Sequence, residues 1–256
     1  MAMTDTKPSL SSIARCAALA IALAAPSFSP FAAAQATLPD AAVMAAVEAV
    51  LKAKPELVRD ALAELERREQ AEQALREREA MAAVKPELVS ADGATVLGNP
   101  LGDVTLVEFI DYRCGYCRKM APGIDQLVAA DPKLRVVVKH LPVLGAESVV
   151  AAQLALAAGQ GQAAQALHHA ILAAAELTEG ALRAMPGAQA LFDAGLGKTA
   201  PMLAKNQALA DQLRIQGTPA LIVGDFIFRG AVDPSRLAAA IEATRANQIK
   251  AAAAKS

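Results

Sequence analysis

Between Val104 and Lys139 the chain carries an order of elements that few folds can accommodate. Val104 to Ile110 is a mostly apolar run of strand length, interrupted by Glu108, and reads as a buried strand. Gly115 to Ala130 reads as a helix that Asp131-Pro132 ends. Leu134 to Lys139, with Val136-Val137-Val138 at its centre, reads as a second buried strand. Strand, helix, strand implies parallel pairing, because two parallel neighbours need a crossover between them. At the junction of the first strand and the helix stand Cys114 and Cys117.

The flanking text fixes the organisation. Lys7 and Arg15 precede a short apolar run, Cys16 to Ala25, followed by the breaker Pro26 and the small residues Ala32 and Ala34. This is the pattern of a secretory signal, so residues 1–34 are expected to be removed, with cleavage after Ala34 and a periplasmic destination. No later stretch reaches eighteen apolar residues without a charge, so the mature protein is expected to be soluble. Residues 35–90 read as a helical stem. Val43, Val47, Val50 and Leu51 recur at helix spacing, Lys54-Pro55 breaks the run, and Leu57, Val58, Ala61, Leu62 and Leu65 form a second stripe. Beyond that the stem turns polar, with Glu64–Arg68 and Glu72–Arg76 at supportive spacing. It reads either as a solvated helix leading to the core or as a stalk that pairs with copies of itself. Pro86 and the stretch Ser90 to Pro100 read as the boundary. The main domain is placed at residues 91–247, with a helical insertion at about 146–213, and residues 248–256 read as a frayed tail. After the insertion, Ala220 to Val223 and Phe226 to Phe228 flank Gly224-Asp225, a hairpin signal. Pro234 to Arg245 reads as a closing helix started by Asp233.

Export simplifies the cysteine chemistry. Of three cysteines, Cys16 leaves with the signal, so Cys114 and Cys117 have only each other. A bridge closing so short a loop constrains the unfolded chain very little, so the pair makes a poor staple and a good reactive centre. Zinc would need four ligands, and the three histidines, His140, His168 and His169, do not supply them. Adjacent helical His168 and His169 point about 100° apart. No metal or other cofactor is expected. With a formal net charge of −1, no basic field argues for nucleic acid.

The redox reading has a physical mechanism. Cys114 would sit at the N-terminal edge of the helix, where free N–H groups and the helix dipole stabilise a thiolate. Cys117 lies one turn on, deeper, so Cys114 would attack a substrate disulfide and Cys117 would resolve the mixed disulfide. Gly115 allows close backbone approach, and Tyr116 lacks the positive charge with which a histidine could add stabilisation. Glu108, six residues before Cys114, either faces solvent or is buried; if buried, its carboxyl is strained toward neutrality and can shuttle a proton to or from Cys117 through water. Thr218-Pro219 precedes a strand, and a cis turn there would expose the backbone of Thr218 to pair with an extended substrate, whereas base rates alone favour a trans loop proline.

Four segments together resemble the DsbA family: Glu108-Phe109; Cys114-Gly115-Tyr116-Cys117-Arg118-Lys119; Leu141-Pro142-Val143-Leu144-Gly145; and Gly217-Thr218-Pro219-Ala220. Within it the chain is similar to the ScsC-like branch of exported oxidoreductases with an N-terminal helical extension. The likeness spans about Gly98 to Ala243. It implies an α/β fold of thioredoxin type with a helical domain inserted before the cis-proline strand. It also implies Cys114 as nucleophile, Cys117 as resolver, Glu108 as buried acid and Pro219 as the cis residue. DsbA itself has Pro-His between its cysteines where this chain has Gly115-Tyr116, which puts an equally strong oxidising power in doubt.

Disulfide donation, isomerisation and reduction are all within the resemblance, the direction depending on a membrane redox partner that resets the site. The partners expected are cysteine-containing exported proteins, that membrane partner, and further copies of the chain through the N-terminal helices. A periplasmic holdase or binding protein using the stem and a groove is the alternative from another class. A peroxidase lacks a separate peroxidatic cysteine in the mature chain.

Overall fold

The computed structural model describes residues 40–254, and the leader expected at residues 1–34 lies outside the described residues. The described residues divide into two units, with the boundary between Asp60 and Ala61. In the first, helix α1 (Asp40–Ala53) buries none of its residues, and Val43, Val47 and Leu51 are all exposed. The chain breaks at Lys54-Pro55 and re-enters a helix, α2 (Glu56–Leu88), of 33 residues. Along α2 the pairs Glu64–Arg68 (2.6 Å) and Glu72–Arg76 (3.4 Å) form as their spacing predicts. Both pairs are exposed, so each contributes only about 0.3–0.5 kcal/mol.

Two features depart from the sequence reading at the stem's end. Pro86 lies inside α2 rather than at a boundary. A helical proline costs about 3 kcal/mol, but Met81, Val84 and Leu88 share one buried stripe across it. Their burial returns roughly 1.5–3 kcal/mol each and prevails. The stretch Ser90 to Pro100, expected as linker, contains strand β1 (Ala94–Gly98). Its glycines and proline mark its ends, not its absence. Buried Lys139 donates to the carbonyls of Ser90 (2.9 Å) and Asp92 (3.0 Å), tying the turn that leads into β1 down to the sheet.

The remaining strands are β2 (Val104–Ile110), β3 (Leu134–His140), β4 (Ala220–Val223) and β5 (Phe226–Arg229), in the spatial order β1-β3-β2-β4-β5. β2 and β3 run parallel with Val104 opposite Leu134, joined over α3 (Gly115–Ala130). The other neighbours are antiparallel. Both faces are covered, which explains the nearly unbroken apolar text of the central strands. Leu106, Ile110, Val136 and Val138 join α3 and the closing helix α9 (Pro234–Ala253) in one core. Val107, Phe109, Val137 and Ile222 join the end of α2 and Leu209 and Leu213 in another. Strand alternation therefore places Glu108 on the α3 side.

Between β3 and β4 the insertion forms α4 (Ala146–Ala157), α5 (Gln162–Ala173), α6 (Glu179–Arg183), α7 (Ala188–Ala194), a 3₁₀ turn (Leu196–Thr199) and α8 (Ala200–Gln212). α4 begins at Ala146, where the insertion is expected to start. The hairpin turn is held by Gly224, whose φ of +56° and closeness to Thr244 leave no room for a side chain. Asp233 caps α9 by accepting from the Ser235 N–H. α9 continues to Ala253, so the residues expected to fray from Gln248 onward are helical as far as that point. Alanine's high helix propensity sustains those turns without burial.

Candidate active site

The site is built where β2 ends and α3 begins. Asp111, immediately after β2, is buried and organises the turn. Its Oδ1 accepts from the Arg113 N–H (2.8 Å) and the Ser148 hydroxyl (2.7 Å), and its Oδ2 from the N–H groups of Val143 and Leu144 (both 2.8 Å). One carboxylate thus joins the cysteine loop, the segment after β3 and α4. Arg113 donates back to the Leu144 carbonyl at 2.6 Å, and Arg118 to the Tyr112 carbonyl at 2.7 Å.

On this frame Cys114 is the N-cap of α3, with extended backbone, and Cys117 lies in the first turn. Both are buried, Cys114 at 7% exposure and Cys117 at 1%. Burial alone would push the Cys114 thiol up. The Cys117 N–H, the Thr218 side chain, the Cys117 thiol and the Tyr116 N–H outweigh it, and the net direction is down. The Thr218 carbonyl opposes them, since it can only accept the S–H proton, at 3.2 Å. Burial pushes Cys117 strongly up, with the neighbouring Cys114 adding to the rise. Two thiols one turn apart are therefore driven in opposite directions.

Glu108 is 4% exposed, and burial raises its carboxyl to about 8, with Asp125 adding to the rise. The open alternative of a solvent-facing Glu108 is corrected by this placement: the pleat aims it at α3. Glu108 and Cys117 line one small cavity together with Ile124, Asp125, His168 and His169. About 10 Å³ of it is open to the centre of a water molecule, the room of about one water.

Thr218-Pro219 is a cis peptide, and it lines a separate groove of about 310 Å³ with Arg214, Gly217, Arg229 and Gly230. Gly115 has open space where a side chain would stand. Tyr116 is 64% exposed, with Lys119 Nζ 5.8 Å from its ring centre. The structure therefore gathers Cys114, Cys117 and Thr218 at one point and sets Glu108 behind them, with Gly115 and Tyr116 on the outer surface.

Several neighbours escaped the sequence reading. Asp111 had a readable signal, an aspartate in the turn three residues before Cys114. Tyr112, His140 and His168 form a buried cluster. The Tyr112 hydroxyl meets His168 Nδ1 at 2.8 Å, and Tyr112 stacks on His140 with ring centres 5.4 Å apart. Burial pushes His140 down to about 3 and His168 well below its ordinary range, so both are neutral. No local signal marks this cluster, because its members come from β3, α5 and the loop after β2. Among the described residues no group of three or more His, Cys, Asp or Glu is placed to hold a metal.

A family model described as thioredoxin matches residues 90–243. Among solved structures, the catalytic domain of Proteus mirabilis ScsC is 26% identical, with a TM-score of 0.58, covering 66% of this chain and 98% of its own. A thioredoxin-like oxidoreductase from Silicibacter pomeroyi DSS-3 is 38% identical, with a TM-score of 0.56 and coverages of 62% and 95%. A periplasmic thioredoxin-like protein from Salmonella enterica serovar Typhimurium is 28% identical, with a TM-score of 0.56 and coverages of 64% and 97%. A curated relative, Na(+)/H(+) antiporter NhaA 1 of Salinispora arenicola (strain CNS-205), is 29% identical in a match that covers 60% of this chain. The chain spans only 25% of that relative's length, and among the described residues no helix is long and apolar enough to cross a membrane. With its cysteines at the start of α3 and its insertion ahead of β4, this chain belongs to the thioredoxin family and is similar within it to ScsC.

Proposed function

We propose that this protein is an exported thiol–disulfide oxidoreductase that forms or isomerises disulfides in cysteine-containing exported proteins. The observation that carries the reading is the opposite drive on the two thiols: Cys114 down at the helix cap, Cys117 up beside Glu108. In the reducing direction Cys114 Sγ, as thiolate, attacks one sulfur of a substrate disulfide. That S–S bond breaks, its far sulfur leaves as thiolate, and a mixed disulfide remains. Cys117 then gives its proton to Glu108 through a water and attacks Cys114 Sγ. The second substrate sulfur leaves, and the Cys114–Cys117 bridge carries the oxidising equivalent. Run backward, the same steps donate a disulfide; isomerisation ends with Cys114 displaced by another substrate thiolate. Thr218, Pro219, Gly115 and Tyr116 form the substrate-facing surface, and a membrane redox partner resets the pair.

Export is supported by the leader pattern in residues 1–34 and by the likeness to the periplasmic thioredoxin-like protein of Salmonella. Homo-oligomerisation is supported by exposed Val43, Val47, Leu51, Leu57, Leu62 and Leu65, an apolar set at helix spacing that nothing in the single chain covers among the described residues. A stem shared between copies would let one substrate meet several cysteine pairs, which suits isomerisation. The same exposed stripe is what favours the second reading, a holdase.

The deciding experiment is trapping on non-reducing gels. Cys117→Ser is expected to accumulate mixed disulfides through Cys114, and Cys114→Ser is not. Equal trapping by both variants would contradict the assigned roles. A holdase would keep full client protection in Cys114→Ser. Acid trapping of thiols in the native compartment sets the direction: a mostly reduced Cys114 indicates isomerase or reductase, a mostly oxidised one oxidase.

A further inference from the structure

The cavity behind Cys117 has an inner wall and an outer one. The inner wall holds Glu108 and Cys117, with no exposed polar atom of their own to pass a proton to bulk water. The outer wall holds Asp125 of α3 and His169 of α5, whose side chains are 48% and 42% exposed. His169 Nε2 meets Asp125 Oδ1 at 2.9 Å, so the bridge joins the helical insertion to the thioredoxin core over the cavity mouth. His169 Nδ1 meets the Gln165 carbonyl at 2.7 Å. A carbonyl can only accept, so Nδ1 donates and carries a proton, which leaves Nε2 as the nitrogen at which the ring can take up and give back another. That nitrogen faces both Asp125 and solvent.

We propose that the Asp125–His169 bridge is the outer station of the proton path that serves Cys117, with His169 Nε2 as the atom that exchanges its proton with water. The inference rests on the exchange reading above. On resolution, Cys117 S–H passes its proton through the cavity water to the Glu108 carboxylate. Glu108 returns it through the same water to Asp125, Asp125 passes it to the empty Nε2, and Nε2 releases it to bulk. Each site ends as it began, one proton moves outward, and Cys117 is left as thiolate for attack. His169 and Asp125 act through Glu108 and are positioning residues. The other titratable groups facing Glu108 are Tyr112, from the loop after β2, and His168, from α5, with His140 of β3 behind them. Both of those histidines are held neutral by burial, so neither supplies a competing charge. Beyond burial, Asp125 is the charge that raises Glu108.

The bridge makes two separable predictions. Asp125→Asn removes the anion that raises Glu108 and interrupts the path, so the pH midpoint of Glu108 falls and the closing phase slows. His169→Gln keeps the anion and removes the nitrogen that exchanges the proton, so the midpoint stays while the closing phase slows. A merely structural latch is broken equally by both and moves both midpoints alike. The reduced full-length protein is mixed with oxidised glutathione, and the first-order phase that closes Cys114–Cys117 is followed against pH. The Glu108 carboxyl-carbon NMR signal is titrated in parallel. The expected fall in Asp125→Asn is about half a pH unit, a factor of about three in the ionisation constant. Asp125→Glu should restore the parent midpoint. Equal midpoint shifts in the two variants, or a closing phase as fast in His169→Gln as in the parent, would overturn the station. If the parent protein shows no first-order closing phase, the exchange reading fails instead, and the carboxyl-carbon titration still decides the station.

Discussion

Glu108→Gln isolates the cost of burying the carboxyl. In the unfolded chain the group ionises near 4.5, and in the folded protein near 8. Between those values the folded state holds a proton that the unfolded state has released, so stability falls as pH rises. A gap of about 3.5 pH units at 1.36 kcal/mol per unit is about 5 kcal/mol, fully present below pH 4.5 and lost by about pH 8. The amide has nearly the shape of the protonated acid and nothing to release. At pH 5 the two proteins should differ little, and at pH 8 the variant should be the more stable by several kcal/mol.

His140 and His168 tilt the parent curve the other way. Their folded values are depressed, so their contribution is present above about 6.5 and lost as pH falls. That slope is common to both proteins and cancels in the difference. Urea unfolding of each, kept as the dithiol, at intervals from pH 5 to 8.5 gives the difference curve. A parallel pair of curves would refute the reasoning, because it would mean Glu108 ionises in the fold as freely as in water.

Gly98→Ala should lower stability by more than about 1 kcal/mol, read from a thermal melt, since φ is +71° and the new Cβ would sit 2.6 Å from the Leu134 carbonyl oxygen. Asp111→Asn should cost on the order of 3 kcal/mol and slow exchange at Cys114. Wherever its NH₂ points, a donor faces a donor; urea unfolding and glutathione exchange read the two effects. Removal of residues before Ala61 should leave a folded monomer that keeps Cys114 reactivity but loses isomerase activity; light scattering and a scrambled-substrate assay check it. The cut falls there because Met81, Val84 and Leu88 belong to the core, and a cut at Ser90 would strip one face of the sheet.

What was legible in the sequence was whatever depends on neighbours along the chain. β2, α3 and β3 announce themselves by length and period, and the hairpin by Gly224-Asp225, because strand burial and turn geometry are local demands on residue type. β1 was missed for the same reason in reverse. Thr95-Val96-Leu97 is too short a run to stand out between Gly93 and the turn residues Gly98-Asn99-Pro100, and pairing with β3 is what makes it a strand. Likewise the last turns of α2 read as polar text until the sheet supplies a face for Met81, Val84 and Leu88.

The site divides along the same line. Cys114 and Cys117 were legible because cap and first turn lie within four residues, and Glu108 because an acid in an apolar strand needs explaining. The groups that set the value of Glu108 were not legible. Asp125 stands on the second turn of α3 past Cys117, and His168 and His169 stand 44 residues or so further on in the insertion, where they read as two histidines on a helix. Only the packing of α5 over α3 turns one of them into a buried neutral ring against Tyr112 and its neighbour into a hydrogen-bonding partner for Asp125. The inserted helices therefore do more than enlarge the domain. They close over the cavity that Glu108 and Cys117 share, and burial is what holds Cys117 protonated until Cys114 has met its substrate. Moving α5 away would rehydrate Glu108, let it ionise at lower pH, and loosen the separation between the two thiols on which directed exchange depends.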